Sequence, residues 1–243
     1  MIISHKHQFI FMKTTKTAGT SIEIGLSRYC GPQDVLTPIH PAEDEQTRVS
    51  RGWGTARNHG GAFLPFTRAD VYRLVLARQR PVRFWNHMPA TTVRARLGRA
   101  RWNSYFKFAV SRHPLEVMVS LYRMECSRGQ VDVPFAKWLD TNARRVRYNF
   151  NMLKVDGALA MDRLVRFSHL TEDLNRVSSY LGLCEPLGDL VLGIRAKPAP
   201  EDQQRGPLEL YHETDRGAAA VCNEAAEEIA HMGYLGSLEA LAR

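Results

Sequence analysis

The chain has 243 residues, 44% of them hydrophobic, which is enough for one substantial core or two small ones. Lysine and arginine outnumber aspartate and glutamate by 33 to 25, and the net charge of +8 favours acidic partners such as phosphates, sulfated or nucleotide ligands, or nucleic acid. Four scattered cysteines argue against a disulfide framework or a zinc site, and the lack of a long apolar run against a membrane span, so we expect a cytoplasmic protein.

The first predicted strand is the run HQFIFM at residues 7–12, which is rich in aromatic and β-branched residues. A helix follows almost at once, because apolar residues recur at helical spacing through residues 20–30. Thr20 and Glu23 form the S/T-x-x-E pattern of a capping box. We therefore expect the helix to begin at Thr20, with Glu23 acting as part of its cap.

The next part of the chain has weaker signals. Residues 32–68 lack clear periodicity and are interpreted as long loops with a short helix, a natural place for segments that face a substrate. Residues 71–77 fit a strand or a helix, and residues 81–85 are predicted to be a strand. A helix is expected after Pro89, ending at Gly98.

The clearest later strand is YFKFAV at residues 105–110, and Pro114 fits the first position of the helix that follows it. The remaining predicted elements are, in order, a basic helical region at 144–147, a strand at 163–167, a helix at 172–183, a mobile loop at 195–207 and a final helix at 214–231. Strands that alternate with helices predict a single α/β domain over residues 1–243, with a central, mostly parallel β-sheet flanked by helices. Ligands of such sheets bind at the carboxyl ends of the strands.

The segment FMKTTKTAGTSIE at residues 11–23 is similar to a phosphate loop, but its lysine precedes its glycine. A Walker A loop has the lysine directly after its second glycine, so an intact nucleoside triphosphatase loop is not predicted. The start of a helix beside a lysine is nevertheless a ready anion site, with charge from Lys16 and close backbone approach at Gly19. From this segment alone, a capped helix with two surface lysines fits equally well.

A second segment, FKFAVSRHPLEVMVSLYR, places Arg112 at the carboxyl end of a strand and Ser120 two turns into the next helix. Together with KTAGTS, this R-x-P arginine and the serine eight residues later resemble the paired signatures of sulfotransferases that use 3'-phosphoadenosine 5'-phosphosulfate (PAPS). NHMPATTVRARLG and the ending EEIAHMGYL are similar to further segments of bacterial and carbohydrate-type members. The resemblance spans most of residues 8–235, although His113 stands where Asn or Asp is common.

The resemblance implies a P-loop-NTPase-like fold and sulfuryl transfer from PAPS to a hydroxyl of a small-molecule or carbohydrate acceptor, leaving 3'-phosphoadenosine 5'-phosphate (PAP) and requiring no metal. Lys16 would stabilise the leaving phosphate oxygens, and Ser120 would also hydrogen-bond Lys16 in the resting state. Arg195 and Lys197 would close over the 3'-phosphate, or else belong to a solvated loop. The remaining donor-binding residues implied are Thr17, Ala18, Gly19, Thr20, Ser21 and Arg112. Lys13 receives no role, and its replacement by alanine is expected to have a mild effect.

An acceptor hydroxyl needs a general base, for which histidine is the ordinary choice near neutral pH. The resemblance points to His87 as the catalytic base, and His59, beside two glycines, is the second candidate. A purely structural histidine is the alternative at both positions. Arg83 is predicted to contact the acceptor together with these histidines, and a solvated arginine is the alternative there.

Two other functions are compatible with the sequence. A nucleotide-dependent small-molecule kinase would need a magnesium-binding acid and a complete phosphate loop, and neither is evident. A nucleic-acid-binding protein is supported by the net charge and by the run ARRVRYNF at residues 143–150, without a recognised motif. We expect no nucleic-acid partner, while a homo-oligomer is compatible with the sequence.

Overall fold

The computed structural model describes residues 1–61, 66, 68–76, 78, 82–194, 206–214 and 216–237. The chain divides into two compact units. The first unit consists of Met1–Thr14, Ala18–Val110 and Met152–Ala196, and the second of Thr15–Thr17, Ser111–Asn151 and Lys197–Arg243.

The described residues form both strands and helices along the chain. The strands are β1 (Ile2–Ser4), β2 (Phe9–Met12), β3 (Val35–Leu36), β4 (Phe106–Ser111), β5 (Lys154–Val155), β6 (Ala158–Leu159) and β7 (Arg163–Arg166). The α-helices are α1 (Gly19–Ser27), α2 (Ala42–Ser50), α3 (Arg68–Val75), α4 (Ala90–Leu97), α5 (Arg99–Ser104), α6 (Pro114–Ser127), α7 (Phe135–Asn142), α8 (Arg147–Asn151), α9 (Leu170–Tyr180), α10 (Leu187–Leu192), α11 (Pro207–His212), α12 (Gly217–Glu224) and α13 (Ala226–Met232). Short 3-10 helices occupy Ala143–Val146 and Phe167–His169.

The central sheet has five strands in the order β3-β1-β2-β4-β7. Strands β2 and β4 are parallel, with Phe9 opposite Phe106. Strand β1 is antiparallel to both β2 and β3, so the prediction of a mostly parallel sheet is wrong and the sheet is mixed. The reason is the short connection at residues 5–8, because only an antiparallel partner is reached by so few residues.

Both faces of this sheet are buried in the first unit. Side chains alternate along each strand, so Ile10 and Met12 face one side while Phe9 and Phe11 face the other. One face packs against α4 and α5, through residues that include Val93, Leu97 and Trp102. The other packs against α1, α9 and α10, through residues that include Ile22, Leu26, Leu174, Val177, Leu187 and Val191. The α/β character of the prediction is confirmed, with helices on both faces of the sheet.

Several predicted elements differ from those observed. Residues 82–85 form no strand, since the carbonyl groups of Val82 and Arg83 accept hydrogen bonds from Arg96 and Phe84 packs in the core. The ambiguous segment at 71–77 is helical as far as Val75. The predicted final helix is interrupted at Ala225, which separates α12 from α13.

The second unit is built around the long helix α6. Leu115, Met118 and Val119 on that helix pack with Phe135 and Trp138 of α7 in an apolar cluster. Helices α11 and α12 add residues to the same cluster, among them Tyr211 and Val221. Among the described residues, no helix is both long and apolar enough to cross a membrane.

Candidate functional site

The loop between β2 and α1 has an unusual backbone. Lys16 and Ala18 adopt left-handed conformations, with φ of 64° and 57°, although neither is glycine. Thr17 between them is not left-handed. Alternation of this kind turns successive N–H groups toward one side and forms an anion-binding concavity. A left-handed conformation costs a non-glycine residue about 1–2 kcal/mol, so the loop is held in this shape by its surroundings.

The first turn of α1 continues this loop. The helix begins at Gly19, one residue before the predicted start, and the N–H of Ile22 donates to the carbonyl of Ala18. Thr20 and Ser21 lie half-buried in the first turn, where backbone N–H groups have no partner within the helix. The positive end of the helix dipole therefore lies where the sequence predicts the 5'-phosphate.

Glu23 does not cap α1, so the predicted capping box is wrong. The residue before the helix is Ala18, and no side chain caps it. Instead, Glu23 is fully buried and its Oε2 accepts a hydrogen bond of 2.7 Å from Nζ of Lys13. The α-amino group of Met1 and the hydroxyl of Thr37 donate to its other oxygen. Burial alone would raise the pKa of Glu23, but the positive charges of Lys13 and the amino group lower it to about 2.

Lys13 therefore has a structural role that the sequence did not indicate. Its side chain is buried beneath the start of α1, and a Cβ added to Gly19 would lie 2.7 Å from its Cγ. Such a distance is far inside ordinary carbon–carbon contact, so the lysine stem requires glycine at position 19. The mild effect expected for Lys13→Ala concerns sulfuryl transfer and stays a prediction, whereas this burial predicts a separate loss of stability, because the substitution removes a partner of buried Glu23.

Within the second unit, Lys16 of the first motif contacts Arg112 of the second. Nη1 of Arg112 donates to the backbone carbonyl of Lys16 at 3.3 Å, and its Nε lies 3.3 Å from Oε2 of Glu116. Lys16 and Arg112 are both half-buried. The arginine at the end of β4 thus contacts the backbone of the lysine loop at Lys16.

Helix α6 presents a polar face beside Arg112. Glu116, Ser120 and Arg123 follow each other at intervals of four and three residues, so they lie on one side of the helix, and all three are half-buried. Burial lowers the pKa of Arg123, and the positive charge of Arg112 lowers it further. Two neighbouring guanidinium groups of like charge suit an anion with more than one negative charge. Arg123 was missed from the sequence, although its helical spacing from Ser120 was readable.

His113 replaces the usual Asn or Asp without losing their local role. Its Nδ1 accepts a hydrogen bond from the N–H of Leu115, which caps α6, and Pro114 occupies the first helical position as predicted. Because Nδ1 is an acceptor, Nε2 carries the hydrogen and donates to the carbonyl of Leu235 at 2.9 Å. The imidazole therefore fixes the turn after β4 through hydrogen bonds at both of its nitrogens.

The strand end before Arg112 is also fixed by a buried carboxyl group. The hydroxyl of Ser111 donates to Oε1 of Glu228 at 2.7 Å and lies 3.1 Å from the hydroxyl of Tyr234. Burial raises the pKa of Glu228 to about 7. This contact holds the residue next to Arg112 in place, and its importance could not be read from the ending EEIAHMGYL.

A buried amide clamps the lysine loop in the second unit. Oδ1 of Asn149 accepts from the N–H of Thr15 at 2.8 Å, and its Nδ2 donates to the carbonyl of the same residue at 2.8 Å. Asn149 belongs to the basic run that supported nucleic-acid binding. Arginines of that run form ion pairs, Arg145 with Glu125 and Arg147 with Glu224. The run thus has a clear role in packing and in holding the loop.

His87 lies against the first residue of the loop. Its Nδ1 is 2.9 Å from the backbone carbonyl of Lys13, and since a carbonyl only accepts, Nδ1 carries the hydrogen. The neutral imidazole then has its lone pair on Nε2, the form that a general base requires. Burial lowers the pKa of His87 to about 4, and the charge of Lys13 contributes. The residue has a left-handed backbone, with φ of 58°.

The other predicted site residues have less distinctive surroundings. Nδ1 of His59 is buried without a hydrogen-bond partner among the described residues, and burial lowers its pKa. Arg83 places its guanidinium 5.2 Å from the centre of the Phe84 ring. Arg195 and Lys197 lie outside the described residues.

Of the comparisons with known proteins, one identifies a family. A family model described as "Sulfotransferase family" matches residues 1–178, well over half of the chain. This range contains Lys16, Arg112 and Ser120 of the two motifs, and also His87, the leading candidate for the general base. Comparison with curated proteins and with solved structures gave no match.

Proposed function

This chain belongs to the sulfotransferase family, and from that premise we propose that it transfers a sulfuryl group from PAPS to a hydroxyl of a small-molecule or carbohydrate acceptor. The observation that carries the proposal is the contact between the two motifs, the guanidinium of Arg112 on the carbonyl of Lys16. It supports a single anion-binding site formed by the loop that contains Lys16 and the start of α6 beside Arg112. Such a site suits a donor with phosphates at both its 5' and 3' positions.

The lysine loop would hold the 5'-phosphosulfate end of the donor. Backbone N–H groups at residues 17–21 and the dipole of α1 stabilise negative charge without having to reorganise during the reaction. Lys16 neutralises the charge that grows on the leaving phosphate oxygen. Sulfuryl transfer resembles phosphoryl transfer, so alignment and charge neutralisation are the main contributions required of the protein.

Arg112, Ser120 and Arg123 would hold the 3'-phosphate. Glu116 is one partner of Arg112, and its carboxylate oxygen occupies one of the directions in which the guanidinium donates. A phosphate is the stronger acceptor for paired arginines because it carries up to two charges. We expect the ion pair between Arg112 and Glu116 to weaken when the donor binds.

His87 would accept the proton of the acceptor hydroxyl at Nε2. A pKa of about 4 makes it a weak base, but it also keeps the imidazole neutral at physiological pH. A weak base is sufficient where the sulfur–oxygen bond forms ahead of proton transfer, because the acceptor oxygen becomes strongly acidic as the bond forms. A bound anionic donor would also raise the pKa of the imidazole.

The proposal is tested by binding and by turnover. Thermal shift and calorimetry with PAP, adenosine 5'-monophosphate and magnesium-ATP compare the three ligands on the same protein. We expect stabilisation by PAP without metal, and weaker stabilisation by the monophosphate, which lacks the 3'-phosphate. Transfer from sulfur-labelled PAPS to a panel of alcohols, carbohydrates and phenols then identifies the acceptor class. Stabilisation that appears only with magnesium-ATP would instead favour the kinase.

A further inference from the structure

The first unit has a cavity of about 600 Å³ at the end of the sheet where β4 and β7 begin. Phe106, the first residue of β4, and Arg163, the first residue of β7, both line it, as do the residues just before β2, His7 and Gln8. The lysine loop instead follows Met12, at the other end of β2. The cavity is therefore separate from the lysine loop, and its volume is typical of sites that bind small molecules.

One wall of this cavity is aromatic. Tyr180, the last residue of α9, lines the cavity and is 70% exposed. The centre of its ring lies 4.4 Å from the centre of the Phe106 ring, and the two ring planes are inclined by 37°. Phe106 thus covers one side of the tyrosine ring and leaves the other side open to solvent. An aromatic ring that is held in this way offers a flat surface on which a planar group can stack.

The basic side chains that line the cavity differ in whether their charge is offset. Nζ of Lys107 lies 2.8 Å from Oδ2 of Asp162, which also lines the cavity. Arg176 forms an ion pair with Glu172 one turn earlier on α9. Arg163 is exposed and has no ion pair with any residue that the structure describes. A single guanidinium that is left to donate suits a ligand with one acidic group.

We propose that this cavity binds a planar aromatic molecule with one acidic group, of the class of aryl sulfonates, sulfates and carboxylates. The ring of the ligand stacks on the open side of Tyr180, and its acidic group accepts hydrogen bonds from Arg163. A ligand with several negative charges is a poorer occupant, because the carboxylate of Asp162 lies in the same cavity and is 45% exposed. The proposal concerns a second ligand site and does not depend on the sulfotransferase reaction.

Ligand binding tests the proposal on the full chain. Naphthalene-1-sulfonate is the probe, and NMR titration or calorimetry in the presence of PAP measures its affinity. Two matched compounds each lack one feature of the probe, since naphthalene-1-sulfonamide has no charge and cyclohexanesulfonate has no aromatic ring. We expect a Kd below about 1 mM for the probe and at least about fivefold weaker binding of each matched compound. The proposal is overturned if the probe does not bind at millimolar concentration, or if either matched compound binds as tightly.

Substitutions then locate the probe. Arg163→Gln and Tyr180→Ala should each raise its Kd about tenfold, because the first removes a charged donor and the second a stacking ring. Arg144→Gln and Tyr72→Ala are the matched controls, since these side chains are 88% and 60% exposed and do not line the cavity. A Kd that neither cavity substitution changes would overturn the proposal. So would a tenfold rise with Arg112→Ala, because the probe would then lie at the proposed donor site.

Discussion

Two strand-to-helix junctions contain the residues that we propose for donor binding, and their construction differs. Strands β2 and β4 are parallel neighbours, so both junctions leave the carboxyl edge of the sheet. After β2, residues 13–18 form a loop that relies on left-handed backbone and N–H groups. After β4, only residues 112–113 precede the helix. There the guanidinium of Arg112, instead of backbone N–H groups, is the proposed donor to the anion.

The difference shows how the two junctions tolerate change. A site made from backbone groups depends on whatever fixes the loop, here Lys13 below it and Asn149 beside it. A site made from a side chain depends mainly on that side chain, because the contacts of Ser111 and His113 and the ring of Pro114 set the turn without Arg112. Substitutions in the first junction should therefore affect stability and function together in some positions, whereas substitution of Arg112 in the second should affect mainly function.

Lys16→Ala should give the largest effect. We expect kcat to fall about 100-fold to 1000-fold, as when a positioned donor to transition-state charge is removed, with the midpoint of thermal unfolding nearly unchanged. Steady-state kinetics with PAPS and a thermal melt measure both quantities. Turnover at the wild-type rate would show that the lysine does not act on the reacting oxygens.

Arg112→Ala should come next. We expect the Kd for PAP to rise about 100-fold, because a charge-assisted bidentate contact to phosphate is lost. The Kd for adenosine 5'-monophosphate should rise much less, since Arg112 reaches the lysine loop only through the carbonyl of Lys16, which makes the ratio of the two constants the decisive measurement. A parallel loss for both ligands would place Arg112 elsewhere than at the 3'-phosphate.

Lys13→Met should act on stability. The substitution keeps the stem that packs under α1 but removes the charge that pairs with buried Glu23, and we expect a loss of about 3 kcal/mol in the free energy of unfolding. Urea denaturation measures it. The double variant Lys13→Met with Glu23→Gln should recover part of the loss, since the buried carboxylate that has lost Lys13 is then replaced by a neutral amide. A single variant as stable as the wild type would mean that the pair contributes little.

His87 should give a pH signature. Its pKa is about 4 in the folded protein and about 6.5 in the unfolded chain, so the unfolded state binds the proton more tightly. Stability should fall as pH drops from 6.5 toward 4, by about 2 kcal/mol at pH 5, and His87→Gln should remove that part of the loss. For turnover, the acid limb of kcat/KM should lie near pH 4. A limb near 6.5 that His87→Gln leaves in place would point to another base, with His59 as the next to test.

Arg123→Ala should give the smallest effect, an increase of roughly fivefold to tenfold in the Kd for PAP. Arg123 is half-buried and near enough to Arg112 for the charge of Arg112 to lower its pKa. It therefore adds positive charge to a site in which Arg112 is the main contact. Arg128→Ala, at the end of the same helix, is a suitable control. A rise for both PAP and adenosine 5'-monophosphate would show a general electrostatic effect.

The parts predicted from the sequence are those fixed by local rules. Strand β4, the Pro114 start of α6 and the end of α4 at Gly98 follow from propensity and turn chemistry. The juxtaposition of Lys16 and Arg112 followed from a motif pair whose members are distant in sequence. Strand β1 was missed because a run of three residues gives no periodicity.

Errors arose where tertiary contacts override a local pattern. Thr20 and Glu23 have the spacing of a capping box, but the carboxylate is drawn to Lys13, a partner that the spacing does not reveal. The role of Asn149 was equally hidden, because a side-chain amide that clamps a loop more than a hundred residues away leaves no local signal. Helix α3 was ambiguous because its apolar residues face outward, which removes the usual relation between periodicity and burial.

Substitutions at Gly19 and Lys13 are coupled, because a larger residue at position 19 needs a smaller one at position 13. Alanine at position 19 collides with the lysine stem, whereas serine at position 13 would clear that space but remove one of the two cationic partners of Glu23. A chain that replaces Lys13 by a short residue and Glu23 by a neutral one should accept alanine at position 19, and with it the higher helix propensity of alanine. Glycine is thus needed at position 19 because the side chain of Lys13 fills the adjacent space. Random mutagenesis should therefore recover changes at positions 13, 19 and 23 together.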